Sequence, residues 1–98
     1  MAASNSNEPL DDLVPVAAAA WGAGAYSLRN GKGECARYLK VVTVTENPSL
    51  VLNLENGQQR TYTVANAGLA TGWETSRGLR IASIDATTAN VSNVLVGW

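Results

Sequence analysis

The 98-residue chain contains no histidine and no phenylalanine, one cysteine, one methionine and three prolines. Lack of histidine removes the commonest general base and the usual partner of a serine or cysteine nucleophile. With Cys35 alone, no intrachain disulfide can brace the fold, and no Cys/His set is available for zinc. Without phenylalanine, the core must come from Val, Leu, Ile and Ala, with Trp21, Trp73, Trp98 and three tyrosines as the large pieces. Charge of one sign is also scarce. Residues 1–28 carry Glu8, Asp11 and Asp12 and no Lys or Arg, whereas residues 29–98 carry seven basic and five acidic groups. No strongly basic patch follows, so neither a nucleic-acid partner nor a membrane is expected. Nothing basic precedes the apolar run Leu13–Trp21, which Pro15 interrupts and which is far too short to span a bilayer. A free cysteine without a secretory signal implies synthesis in a cytoplasm.

What is present is β-forming sequence. From Tyr38 to Val64 the chain reads as a meander of three strands. The run Val41-Val42-Thr43-Val44-Thr45 is β-branched, which restricts χ1 and suits a pleated surface. Leu50, Leu52 and Leu54 share one face of a period-two ribbon. Asn47-Pro48-Ser49 is expected to turn the chain after the first strand, and Asn56-Gly57 to close a type I′ hairpin after the second. A further turn is expected at Asn30-Gly31-Lys32-Gly33. Its Gly-Lys-Gly is followed by Glu34, not by the Lys-Ser/Thr ending of a phosphate loop. Leu79–Ile84 and Val91–Trp98 supply two more strands. The fold expected is all-β: a small antiparallel β-sandwich or jelly-roll-like barrel, residues 24–98, behind an extended N-terminal arm, residues 1–23.

A domain of this size buries only roughly 60–65% of its unfolded surface, and small unstapled β domains often gain stability by oligomerising. The final strand is apolar on both faces, which means that it is either central or covered by a partner. Read as covered, it joins Leu10, Leu13, Val14 and Trp21 of the arm, with its own Val94, Val96 and Trp98, as a candidate interface. Removal of residues 1–20 is then expected to leave the β domain folded. The acidic start is either a solubilising tail or an arm drawn to the weakly basic body of a neighbour.

Candidate chemistry is sparse. Cys35 lies in a strand-like stretch and is expected to be a packed thiol. Asp11-Asp12 are the only paired carboxylates, and Asn90-Val91-Ser92 matches a glycosylation acceptor by chance. Trp73, in the loop Ala65–Arg77, either folds back as a lid or stands out as a stacking residue. Arg77 and Arg80 beside it either pair with Glu74 and Asp85 or form, with Trp73, a ligand contact. No catalytic residue, cofactor or metal is expected.

The segment Gly78-Leu79-Arg80-Ile81-Ala82-Ser83-Ile84, with the closing Val94-Leu95-Val96-Gly97-Trp98, resembles the end of small β-rich virion proteins of tailed bacteriophages. Those chains close with two alternating strands, a Thr/Ala-rich connector and a final Gly-aromatic; Leu79 stands where a larger aromatic is expected. The resemblance is confined to residues 78–98. It implies a non-enzymatic capsid decoration (cement) or tail-associated subunit, located in the virion and partnered by other virion proteins and by copies of itself as a homo-oligomer. The alternative is a carbohydrate- or receptor-binding module of a tail or fibre.

Overall fold

The structure, a computed structural model, describes residues 13–76 and 78–98. Leu10 and Arg77, both singled out above, lie outside the described residues. The fold is all-β and antiparallel, as expected. All six strands belong to one curled sheet, so the barrel-like alternative, rather than two packed layers, describes it. The elements run β1 (Val14–Ala17), α1 (Ala19–Gly22), β2 (Tyr26–Ser27), β3 (Tyr38–Leu54), β4 (Gln59–Thr63), α2 (Val64–Ala67), β5 (Ile81–Ile84) and β6 (Ala89–Gly97).

Strand β3 is the axis. The chain from Ile81 to Gly97 pairs with it progressively, from Leu54↔Ile81 at one end to Tyr38↔Gly97 at the other. Where β5 hands over to β6, the Asp85 N–H donates to the Val51 carbonyl (2.9 Å), and the Val51 N–H donates to Thr88 Oγ1 (2.9 Å). Strand β4 pairs with Ser49–Asn53. Further along β3, residues 72–75 stand in for a strand: Val41 donates to the Trp73 carbonyl (2.8 Å) and Leu39 to Thr75 Oγ1 (3.1 Å). Buried backbone donors are rarely left unpaired, and these two threonines fill places where the ladders stop.

The Asn47-Pro48-Ser49 turn is not formed. The chain stays extended through β3, and Thr45–Pro48 are unpaired opposite Asn90, between the pairs Val44↔Val91 and Ser49↔Ala89, with Pro48 buried. Asn47 and Asn90 both take positive φ (54° and 61°), and the Asn90 amide donates to the carbonyls of Glu46 (2.8 Å) and Asn47 (3.3 Å). Asparagine tolerates this region, so the two residues that resemble turn formers make a bulge. The Asn56-Gly57 hairpin does form, but only Gly57 has positive φ (89°). Gly57 N–H donates to Leu54 O and Leu54 N–H to Gln58 O, as in a three-residue loop closed by a left-handed glycine instead of a type I′ turn.

Residues 13–23 are not a detached arm. Strand β1 pairs with β6 (Val14↔Val96, Val16↔Val94), and one turn of helix follows, in which Trp21 is 2% exposed. Strand β6 therefore lies between β1 and β3, and the face that carries Val94 and Val96 is covered within the chain. Val94 and Val96 are fully buried in the same cluster as Trp21, Leu39, Leu52, Ile81 and Ile84. The interface assignment of Trp21, Val94 and Val96 is corrected on this ground: their partner is the chain's own core. Leu13 and Val14 remain accessible, half-buried and exposed respectively. The loop after β4 opens with α2, whose Thr63–Asn66 capping box satisfies its first N–H groups.

Candidate ligand-binding cleft

One end of the molecule holds a cleft of about 450 Å³ lined by Gly33, Glu34, Cys35, Arg37, Glu55, Arg80 and Trp98. Its first wall is the Asn30–Gly33 turn. Asn30 Oδ1 accepts from the N–H groups of Lys32 (2.9 Å) and Glu34 (3.0 Å), and Gly33 takes the left-handed conformation (φ 79°). The turn expected at this place is present, though its flanks do not pair with each other: β2 pairs with β5, and Ala36 bridges Ile81. Asn30 Nδ2 also donates to the Glu34 carboxylate (2.9 Å).

Trp98 forms the floor. Its indole Nε1–H is shared between the carbonyls of Leu28 (2.8 Å) and Glu34 (3.1 Å), which fixes the ring, yet the residue remains 39% exposed. A buried indole N–H normally finds such acceptors, leaving the ring itself for contact. Opposite lies the β3–β4 hairpin tip, where the Glu55 N–H donates to the Arg80 carbonyl (2.9 Å). The Glu55 carboxylate lies 3.8 Å from the Arg80 guanidinium, the one ion pair among the described residues. Cys35 Sγ is also 3.8 Å from Glu55 Oε2, and this thiol is buried, the packed cysteine anticipated. A shallower groove of about 250 Å³, reaching Gln58 and Arg60, continues past Glu55 and Arg80.

The structure parts the expected ligand contacts. Trp73 packs against Tyr62 (ring centroids 4.8 Å) and gives its indole N–H to the Ala67 carbonyl (3.2 Å), so it sits as a lid over the core. Arg80 lines the cleft with Trp98 instead. Neither expected ion-pair partner holds Arg80: Glu74 accepts from the Tyr38 hydroxyl (2.6 Å), and Asp85 accepts from Thr87 and Asn53. Burial and the Glu74 carboxylate push the Tyr38 phenol up to about 12. The Thr87 and Asn53 hydrogen bonds hold Asp85 below its ordinary value.

Glu34, Arg37 and Glu55 were missed by sequence reasoning. They come together only because Ala36 pairs with Ile81 and Arg37 N–H with the Gly97 carbonyl (2.9 Å), contacts too distant in the chain to leave a local pattern. Among the described residues there is no group of three acidic or cysteine side chains close enough to hold a metal ion, and no helix long and apolar enough to cross a membrane. No family model, curated protein or solved structure matches the chain.

Proposed function

We propose that the chain is a non-catalytic structural subunit of a virus particle, of the capsid decoration (cement) kind, and docks on neighbouring subunits or copies of itself. The observation that carries this reading is an outward apolar row on the β1–β6 pair. Strand alternation turns Gly97 and Leu95 away from the face that buries Val94 and Val96. Leu13 lies over Gly97, close enough that a β-carbon there would meet Leu13 Cδ2 at 2.8 Å. Pro15, exposed, sits opposite the half-buried Leu95. On the other face of β1, opposite Val96, Val14 is 45% exposed, and no strand covers the outer edge of β1 among the described residues. An open edge next to outward apolar side chains is the kind of surface that pairs with another chain.

Leu95→Glu puts a charge on that row without touching the core. Light scattering of the full chain is expected to show a homo-oligomer that Leu95→Glu shifts toward monomer. The same variant is expected to lose attachment to particles. A chain that is monomeric at all concentrations and whose Leu95→Glu form attaches to particles unchanged sinks the proposal.

A further inference from the structure

We propose that the Trp98 cleft binds a neutral pyranose sugar. The inference concerns the cleft where the two ends of β3 come together, Arg37 before one and Glu55 after the other, and does not depend on the edge-docking reading.

Three observations point the same way. The first is the platform. Trp98 is anchored by both of its N–H acceptors, so its exposed ring is held in place before any ligand arrives. Rigid aromatic area is the cheap form of contact, because little freedom is lost on binding. A pyranose ring offers a flat face of C–H groups to such a surface, while its hydroxyls project around the rim. The second is the balance of polar groups. Arg37 and Arg80 offer N–H donors, and Glu34 and Glu55 offer acceptors, all on exposed residues. Vicinal hydroxyls need both kinds. A phosphate or a sugar acid would meet two carboxylates, and a cation two guanidinium groups, so the cleft disfavours a charged ligand of either sign. The third is size: about 450 Å³ falls among small-molecule sites, which span roughly 300–1,000 Å³.

The Arg80–Glu55 contact, at 3.8 Å between half-exposed side chains, is loose enough to open. One hydroxyl pair inserted between them accepts from Arg80 and donates to Glu55. Trp73 has no part in this site, since its N–H and one side of its ring are occupied inside the fold.

The test follows the three indole N–H signals of the full chain by heteronuclear NMR. Methyl glucoside, galactoside and mannoside are titrated to millimolar concentration and beyond, with glucuronate and adenosine monophosphate as charged comparators. The expected result is saturable movement of the Trp98 signal with at least one methyl glycoside, while Trp21 and Trp73 stay still. Affinities of the variants are read by calorimetric titration with the glycoside that moves the Trp98 signal, and Trp98→Ala is expected to weaken binding about tenfold, the aromatic-contact contribution converted at tenfold per ~1.4 kcal/mol. Trp98→Phe, which keeps a ring, is expected to lose less. Because both replacements cut the anchoring hydrogen bonds, Arg37→Ala serves as the variant that leaves the fold alone, and it too must weaken binding. Silence from all three methyl glycosides overturns the proposal. So does movement with the charged comparators only, or movement confined to Trp73.

Discussion

The two halves of β3 are built on different terms. Ser49–Leu54 has remote β5 along one edge but, along the other, a neighbour close in sequence: the short hairpin loop after Leu54 returns the chain directly as β4. Tyr38–Val44 is served by remote chain, with β6 on one side and residues 72–75 on the other. Beyond β6 lies β1, from the opposite end of the described chain. Local pairing closes a short loop at small entropic cost, whereas the first half needs distant segments gathered before any contact forms. Damage at either end of the chain should therefore fall on the first half. The sugar cleft lies where Trp98, at the end of the first half's partner strand, meets the hairpin tip of the second.

The largest expected effect comes from truncation. Deleting residues 1–23 removes β1 and Trp21 together and uncovers Val94 and Val96. Losing a buried Trp alone costs about 3–5 kcal/mol, against a total stability of roughly 5–15 kcal/mol for a domain of this length. Cooperative thermal unfolding followed by circular dichroism should be lost. If the shorter chain, residues 24–98, melts cooperatively with an unchanged midpoint, the first half of β3 does not lean on β1 as described.

This corrects what the sequence alone implied, and the reason is physical. The alternation of Leu50, Leu52 and Leu54 was legible because a strand facing one core leaves a period-two trace; their burial follows it. The two-faced apolarity of Val91–Trp98 was equally legible, but a strand central in a sheet and a strand covered by a partner write the same residues. Only pairing with β1 separates them, and Val14–Ala17, four residues containing a proline, can be read as an arm or a short strand but carries too little pattern to name its partner. Asn47-Pro48 misled for a related cause. Asparagine at positive φ serves turns and bulges alike, and what decides between them here is Asn90, more than forty residues on. In the cleft, Arg80 stood out in the sequence because it lies close to Trp73 at the start of a strand, yet in the fold it lines a cleft with Trp98 instead. Trp98 was noticed as exposed but was assigned to a partner surface, since the carbonyls that hold its ring belong to Leu28 and Glu34.

The next effect compares the two threonines that complete the halves. Thr75→Val strands the buried Leu39 N–H, and Thr88→Val strands that of Val51. A buried donor without a partner costs about 1–3 kcal/mol. Val51 keeps its carbonyl bond from Asp85, and its β4 neighbour is local, so opening there should stay local. Hydrogen exchange should show Thr88→Val speeding exchange near Val51 only. Thr75→Val should speed exchange across Tyr38–Val44 and β6 together. Equal, confined effects in both variants would erase the distinction between the halves.

At the junction itself, Asn90 holds a left-handed conformation and ties two carbonyls of the bulge. Asn90→Ala loses the ties and adds the cost of positive φ for an ordinary residue, roughly 1–2 kcal/mol. Asn90→Gly loses the ties alone. Chemical denaturation should therefore rank wild type above Asn90→Gly and Asn90→Gly above Asn90→Ala; the reverse order of the two variants would mean that backbone strain is not what asparagine relieves there.

The smallest effects are expected in the pH dependence, where the halves should fail at opposite ends of the scale. Tyr38, at the start of the first half, holds its proton up to about pH 12 in the fold, against 10 for a free phenol. A group whose folded value is raised contributes stability that is intact below the unfolded value and fades as pH climbs from 10 through 12. Asp85, at the second half, is depressed below its ordinary 3.8 by the Thr87 and Asn53 hydrogen bonds. Its contribution is intact above about pH 4 and disappears as the pH falls through the lower folded value. Both residues are partly exposed to solvent, so each term is modest. Stability curves of Tyr38→Phe and Asp85→Asn, each subtracted from wild type, isolate these terms from the titration of every other group. The Tyr38→Phe difference should vanish only on the alkaline side and the Asp85→Asn difference only on the acid side. A Tyr38→Phe difference that is flat from pH 8 to 12 would mean that the hydroxyl clamp on Glu74 contributes nothing to holding the first half of β3 in place.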